Sequence, residues 1–394
     1  MKDLNTNTNY KRELKKISLE NCVGKKLSKG KIIFKGKNLY NFSSNDYMGL
    51  SNDKDLIASS NLWTRRFGTS LSSSRLISGN LDKISNIEKK IAKFKNKDEA
   101  IILGSGFQCN LTAIPAFIGN SMGKRNKAII FSDKLNHSSI NHGCVLTKQK
   151  IFRYNHLDYN HLEYLLKKTK KNELKLIISE TVFSMDGDIV DVSKIRFLAL
   201  KYNCLIYFDE AHATGIFGSN GFGITSNLKK NDRIDNEIAV GTFSKSFGSY
   251  GSYIACSKEV KNRIVNLCAG LIYSTVLPPS VLGAIDCAVN KIPKMKEKRL
   301  KLIENSNYLK SKLEENKFLS TGSNSQIIPI LFKDEKHCIL LSKIIIEKGF
   351  FVLPIIPPTV PDGKSRLRIS LTTLISKETI NKFIKTLLSV KKID

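Results

Sequence analysis

Six short apolar runs constrain this chain more than any other feature: "AIILGS", "AIIFSD", "KLIISE", "CLIYFDE", "EIAVGT" and "SYIACS". Each holds almost no polar residue before its last positions, the pattern of strands buried on both faces of a mostly parallel sheet. Helical patterns such as "HLEYLLKK" and "VSKIRFLALKYN" separate most of them. That alternation is the βαβ rhythm of an open α/β sheet. Upstream, "ISNIEKKIAKF" puts Ile84, Ile87, Ile91 and Phe94 on one helical face.

The flanks differ in character. The first forty residues are polar and basic, with a short hairpin expected in "KGKIIFKGKNLYNF" and its turn at Gly36-Lys37. Towards the end, "HCILLSKIIIEKG" reads as a helix closed by Gly349, followed by the strand "FFVLPI". "SRLRISL" alternates, with Leu367, Ile369 and Leu371 on one face and Arg366, Arg368 and Ser370 on the other. A last amphipathic helix carries Ile380, Phe383, Ile384, Leu387 and Leu388. A chain of 394 residues exceeds one typical core. The expected division is an N-terminal arm and hairpin over 1–45, a large α/β domain over 46–287 and a smaller α+β domain over 288–394.

Hydrophobic residues make up 41% and charged residues 25%, values of a globular chain rather than a disordered one. No apolar run approaches the roughly 18 residues that span a bilayer, and "MKDLNTNTNYKRELKK" lacks an apolar signal core. No membrane association and a cytoplasmic location are the expectation. Eight scattered cysteines without a C-x-x-C pair suit a reducing compartment and argue against a metal site. The formal charge of +29 raises the possibility of a basic nucleic-acid-binding protein. The lysines, however, run along the whole chain instead of forming an arm or patch, so no nucleic acid is expected as a partner. Such a surface does suit an acidic acyl carrier.

In open α/β sheets, ligands bind beyond the carboxyl ends of the strands. The segments that follow the apolar runs are "GSGFQCN", "SDKLNHSS", "ETVFSMDGD", "DEAHATG" and "GTFSKSFG". They deliver Gly106, His137, Ser184, Asp209, His212, Thr242 and Lys245 to one edge. Each alone is ordinary: a solvated lysine, a loop histidine, a helix-capping aspartate. Together they match what pyridoxal 5'-phosphate (PLP) requires. That cofactor needs a lysine amine for its aldehyde, a carboxylate for its pyridine nitrogen and donors for its phosphate. Backbone amides at a helix start, here "SGFQCN", serve the phosphate. A flat imidazole can stack on the ring, and a desolvated lysine loses its proton more readily.

With these segments in view, the chain resembles the α-oxoamine synthases, which are PLP enzymes of fold type I that condense an amino acid with an acyl thioester and release carbon dioxide. The resemblance runs from "YNFSSNDYMGLS" to "PPTVPDGKSRLRISL" and includes "SRLISGN", "SETVFSMDGD", "FDEAHATGIFG" and "LIYSTVLPPS". It implies a PLP-dependent C-acyltransferase. "LIYST" and "PPTVPDGKSRLRISLTT" are most similar to the branch using L-alanine and a pimeloyl thioester, carried by acyl carrier protein or coenzyme A, rather than to the glycine-using branches.

By resemblance, Lys245 bonds the cofactor and moves the α-proton, Asp209 holds the pyridine nitrogen, His212 contacts the ring oxygen and His137 stacks on the ring. Gly106 and Phe107 meet the phosphate, Thr242 and Ser184 add cofactor contacts, and Arg368 clamps the amino-acid carboxylate. Asn45 and Thr359 touch substrate, as does His137. Thr275 reaches the phosphate of a neighbouring subunit, in a homodimer with shared sites. Three departures stand out. "GTSLSSSR" has Ser70, Ser72 and Ser73 where glycines are usual, Ser252 replaces another glycine, and no arginine matches the family's N-terminal substrate arginine, near Lys25 and Lys26.

Overall fold

The computed structural model describes residues 14–20, 30–119, 127–227, 236–318, 320 and 322–391; Cys22, Lys25 and Lys26 lie outside the described residues. All six apolar runs become strands of one seven-stranded sheet. Its spatial order is Glu99–Leu103, Ser252–Cys256, Glu237–Thr242, Cys204–Asp209, Leu174–Glu180, Ala128–Asp133 and Lys150–Tyr154. Ser252–Cys256 pairs antiparallel with both neighbours, and the remaining pairings are parallel. The fold is therefore α/β with a mostly parallel sheet and flanking helices.

The sheet is buried on both faces because alternate residues feed different cores. Ala100 and Ile102 enter one cluster with helix Asp82–Lys95, whereas Ile101 and Leu103 enter another with helix Gly106–Ile118. The edge strand Lys150–Tyr154 was not legible as an apolar run, since only Tyr154 of its five residues is buried.

The N-terminal hairpin forms, with a correction of one residue. Phe34 pairs with Lys37, so the two-residue turn is Lys35-Gly36, both at positive φ, and not Gly36-Lys37. That is the twist two-residue hairpins prefer. "FFVLPI" is divided between two sheets. Phe350–Phe351 pairs parallel with Lys37–Asn41, while Pro354–Ile355 joins the strand Ser365–Ser370. The N-terminal and C-terminal segments thus share a sheet. Ser365–Ser370 also pairs with Ile327–Phe332, and all its residues are buried, arginines included. Among the described residues no helix is long and apolar enough to cross a membrane.

Candidate active site

The strand ends converge as the sheet order dictates. Thr242, Asp209, Glu180 and Asp133 close four successive parallel strands, and Ser252 opens the antiparallel one opposite Thr242. The loops leaving these ends carry Lys245, His212, Ser184 and His137. Asp209 is buried and doubly held: Asn110 Nδ2 donates to its Oδ2 at 2.7 Å and the Ala211 N–H to its Oδ1 at 2.9 Å. Asn110 is itself oriented by Tyr207, whose hydroxyl donates to its Oδ1 at 2.7 Å.

Lys245 is half-buried, at the edge where the strand ends converge. Burial pushes its amine down to about 8, against the opposing pull of Asp209 and Glu180, with Arg368 adding to the fall. Among the described residues nothing accepts a hydrogen bond from this amine. Burial likewise depresses the two histidines. His212 sits well below its ordinary value, aided by Lys245 and Arg368, and His137 is lowered despite Asp209. His137 caps helix Ser138–Leu146, its Nδ1 accepting from the Ser139 N–H at 3.2 Å, which leaves the proton on Nε2. Phe107 stands edge-on to His137 at 6.5 Å between ring centres.

Arg368 reaches the same cluster from the C-terminal strand. Its Nε donates to the Ser184 carbonyl at 2.5 Å and its Nη1 to Ser370 Oγ at 2.7 Å. The longer contacts are Nη1 to Asn45 Oδ1 at 3.3 Å and Nη2 to the Tyr47 hydroxyl at 3.4 Å. The expected periodicity left Arg366 on the same face, and the structure separates the two. Arg366 bonds Asp186 at 2.6 Å and lines a groove of about 800 Å³ with Thr359. Thr359 therefore stands with Arg366, not with Arg368. Thr275 is exposed and bridged to Ser74.

Three residues of the cluster had no assigned role in the sequence. Glu180 accepts from the His137 N–H at 2.7 Å and the Ser184 N–H at 3.2 Å, and burial, reinforced by Asp209, raises its carboxyl to about 8. Tyr47 shares a 2.7 Å hydrogen bond with His212 Nδ1. Asn110 orients Asp209. A polar residue ending the apolar run "KLIISE" could have flagged Glu180; Tyr47 and Asn110 carried no comparable signal.

The cluster fits PLP. Thr242 Oγ1 and Ser246 Oγ are buried without a partner on either side of the free Lys245 amine. A Cβ on Gly106 would lie 2.6 Å from Thr242 Cγ2, so glycine keeps the space between helix start and strand end open. The helix Gly106–Ile118 begins there, capped by Ser105, with the N-terminal amides that suit a phosphate. Among the departures, Ser72 adopts φ +50°, a left-handed conformation in which a serine costs on the order of 1 kcal/mol relative to glycine. Ser252 is accommodated by donating to the Gly104 carbonyl at 2.7 Å.

A mostly parallel sheet with a lysine, an aspartate and two histidines at its carboxyl edge defines a PLP-dependent transferase of fold type I. The chain belongs to the aminotransferase class I and II family, whose model matches residues 37–387, and within it to the α-oxoamine synthases. Its cofactor is PLP. It is similar to the 8-amino-7-oxononanoate synthase of Gluconacetobacter diazotrophicus, 36% identical over 354 residues that cover 89% of this chain and 88% of that protein. A relative in Paramagnetospirillum magneticum, provisionally given the same enzyme name, is 38% identical and covers 92% of this chain and 91% of its own length. Among solved structures, a serine palmitoyltransferase variant from S. paucimobilis with bound PLP is 26% identical. It superposes with a TM-score of 0.88, covering 96% of this chain and 92% of the other.

Proposed function

We propose that this protein joins L-alanine to a pimeloyl thioester, giving 8-amino-7-oxononanoate, carbon dioxide and free thiol, as a biotin-pathway enzyme of the cytoplasm. The observation that carries the reading is the unpartnered amine of Lys245 within the electrostatic reach of Asp209, Glu180 and Arg368. The choice of L-alanine and pimeloyl rests on the similarity to relatives named for that product. When bound, PLP supplies an electron sink for the α-carbon of the amino acid.

Lys245 would hold the cofactor through its aldehyde, and its amine is placed to take and return the α-proton, a task suited to an amine near neutrality. Asp209, kept in place by Asn110, would hold the pyridine nitrogen, and His137 would stack on the ring. Thr242, Ser184 and His212 complete the cofactor contacts, and Gly106 and Phe107 meet the phosphate. Ser184 and Ser370 fix the guanidinium of Arg368, so a substrate carboxylate replaces its two long contacts, beside Asn45. Thr359 touches the acyl substrate from the groove. Thr275 serves the site of a second copy of the chain.

The test is to give the PLP-loaded protein pimeloyl-CoA or pimeloyl-acyl carrier protein with L-alanine, glycine or L-serine, and to identify the product by mass. L-alanine should support the highest kcat/KM. The structural likeness to serine palmitoyltransferase favours one second reading, a serine-using synthase. Preferential turnover of L-serine would establish it at the expense of the first.

A further inference from the structure

Next to Asp209 in the chain, Glu210 forms a buried ion pair that lies outside the cluster described above. Glu210 and Lys95 are both completely enclosed and in contact. The Lys95 amine also donates to the Phe222 carbonyl at 2.9 Å and to Thr225 Oγ1. Thr225 in turn donates to Glu210 from its hydroxyl at 2.7 Å and from its backbone N–H at 3.0 Å. Asp209 and Glu210 point to opposite faces of the sheet. Asp209 is held by Asn110 of helix Gly106–Ile118, and Glu210 by the last residue of helix Asp82–Lys95.

The backbone between them is the turn that carries the site. The Glu210 carbonyl accepts from the Ala213 and Thr214 N–H groups at 2.9 and 2.8 Å, bracketing His212. Gly215 then packs so closely on Ser246 that a Cβ would fall 2.1 Å from the serine Cβ. Gly223, at φ +96°, leaves room for the Glu210 carboxylate, which an added Cβ would approach to 2.5 Å. One turn is therefore clamped by Lys95 below and pressed on the Lys245 loop above.

We propose that the Lys95–Glu210 pair is a positioning device for the reaction: it sets the Asp209–Gly215 turn and, with it, the placement and field of the acid and the amine around the cofactor. The proposal rests on the roles assigned to Asp209 and Lys245. The other charged or titratable groups facing the pair are Glu237 and Lys97, with Arg196 bound to Glu237, and the Tyr253 phenol. A buried pair of this kind is weak evidence for stability by itself, because desolvation offsets the attraction. Its location at the turn gives it a specific readout.

The experiment compares Lys95→Met, Glu210→Gln, the double variant and Thr225→Val in the full-length PLP-loaded enzyme. It measures the pH titration of the bound cofactor's visible absorbance, the dissociation constant for PLP and the thermal midpoint. Lys95→Met leaves a carboxylate uncompensated behind Asp209, favours protonated forms and raises the absorbance midpoint by about one pH unit. Glu210→Gln leaves an ammonium and lowers it by a similar amount. The neutral double variant returns to within about 0.3 unit, and each single variant weakens PLP binding roughly tenfold, a shift of about 1.4 kcal/mol. If a single charge variant does not fold, Thr225→Val keeps both charges, loosens the clamp and still weakens PLP binding severalfold. Unmoved midpoints and PLP affinity in the folded variants, whatever the thermal midpoint does, would overturn the proposal. Lys245→Ala is the control: if it keeps the native absorbance, the assignment of Lys245 fails instead.

Discussion

Lys95, fully buried, and Lys245, half-buried, lie near the same end of one sheet, and the chain treats them in opposite ways. The Lys95 amine meets a carboxylate, a carbonyl and a hydroxyl, so its burial is satisfied. The Lys245 amine has no acceptor among the described residues, and Thr242 Oγ1 and Ser246 Oγ beside it are equally unpartnered. Lys175 follows the first pattern, donating to the carbonyls of Lys170, Lys171 and Glu173 at 2.9–3.3 Å. A buried cation with partners serves structure. One held without them is available for chemistry; burial lowers the proton affinity of both amines, so the missing acceptor is what sets Lys245 apart.

The largest effect that can break this contrast is turnover. Lys245→Ala should lower kcat by at least ~10³-fold and abolish the visible absorbance of bound cofactor, both read in one spectrophotometric assay. Activity within tenfold of native would erase the distinction between the two lysines.

Stability should show the reverse order. Lys95→Met strands the Glu210 carboxylate and should cost about 3–5 kcal/mol in urea unfolding. Lys245→Met in cofactor-free protein should not destabilise, and a loss comparable to that of Lys95→Met would place Lys245 among the structural lysines.

The protonation of Lys245 offers a third probe. Its amine, depressed to about 8, is neutral only above that value. The rate of PLP uptake by cofactor-free protein should therefore rise through pH 8 and level off above it, with roughly a hundredfold span between pH 6 and the plateau. A pH-independent rate by stopped-flow absorbance contradicts this.

The contrast between Arg368 and Arg366 is smaller. Arg368→Lys loses bidentate geometry and should raise KM for the amino acid about tenfold while leaving cofactor absorbance intact. Arg366→Lys should leave that KM nearly unchanged. Equal effects would remove the separation between cluster and groove.

The least effect belongs to His156, which lies between Asp133 and Asp188 at 3.0 and 3.1 Å. Although burial opposes it, the hydrogen bonds to both aspartates raise this imidazole to about 9. A folded value above the unfolded one stabilises fully below pH 6.5 and is lost as pH rises through 9. Native protein should lose more urea resistance between pH 6 and pH 10 than His156→Gln, and parallel losses would refute the assignment.

Much of this molecule was legible beforehand, and unevenly so. Runs such as "CLIYFDE" announced their strands because a strand buried on both faces must be apolar throughout. Lys150–Tyr154, mostly uncovered, gave no such signal. Phe350 to Ile355 read as one strand, although its two ends serve different sheets. At the site, Lys245, Asp209, His137 and His212 were visible as polar residues terminating apolar runs or following them. Tyr47 lies 165 residues from its partner His212, and Asn110 lies 99 from Asp209, so no local pattern could join them.

The order of residues alone determined which segments had to be buried and which reactive side chains would stand at their ends, since periodicity and apolarity are local properties. Only the packed chain decided which lysine would be left without an acceptor, which arginine would face the cluster and how Asp209 would be held. Those outcomes depend on desolvation and hydrogen bonding between groups far apart along the chain, and they exist only once the elements are in contact.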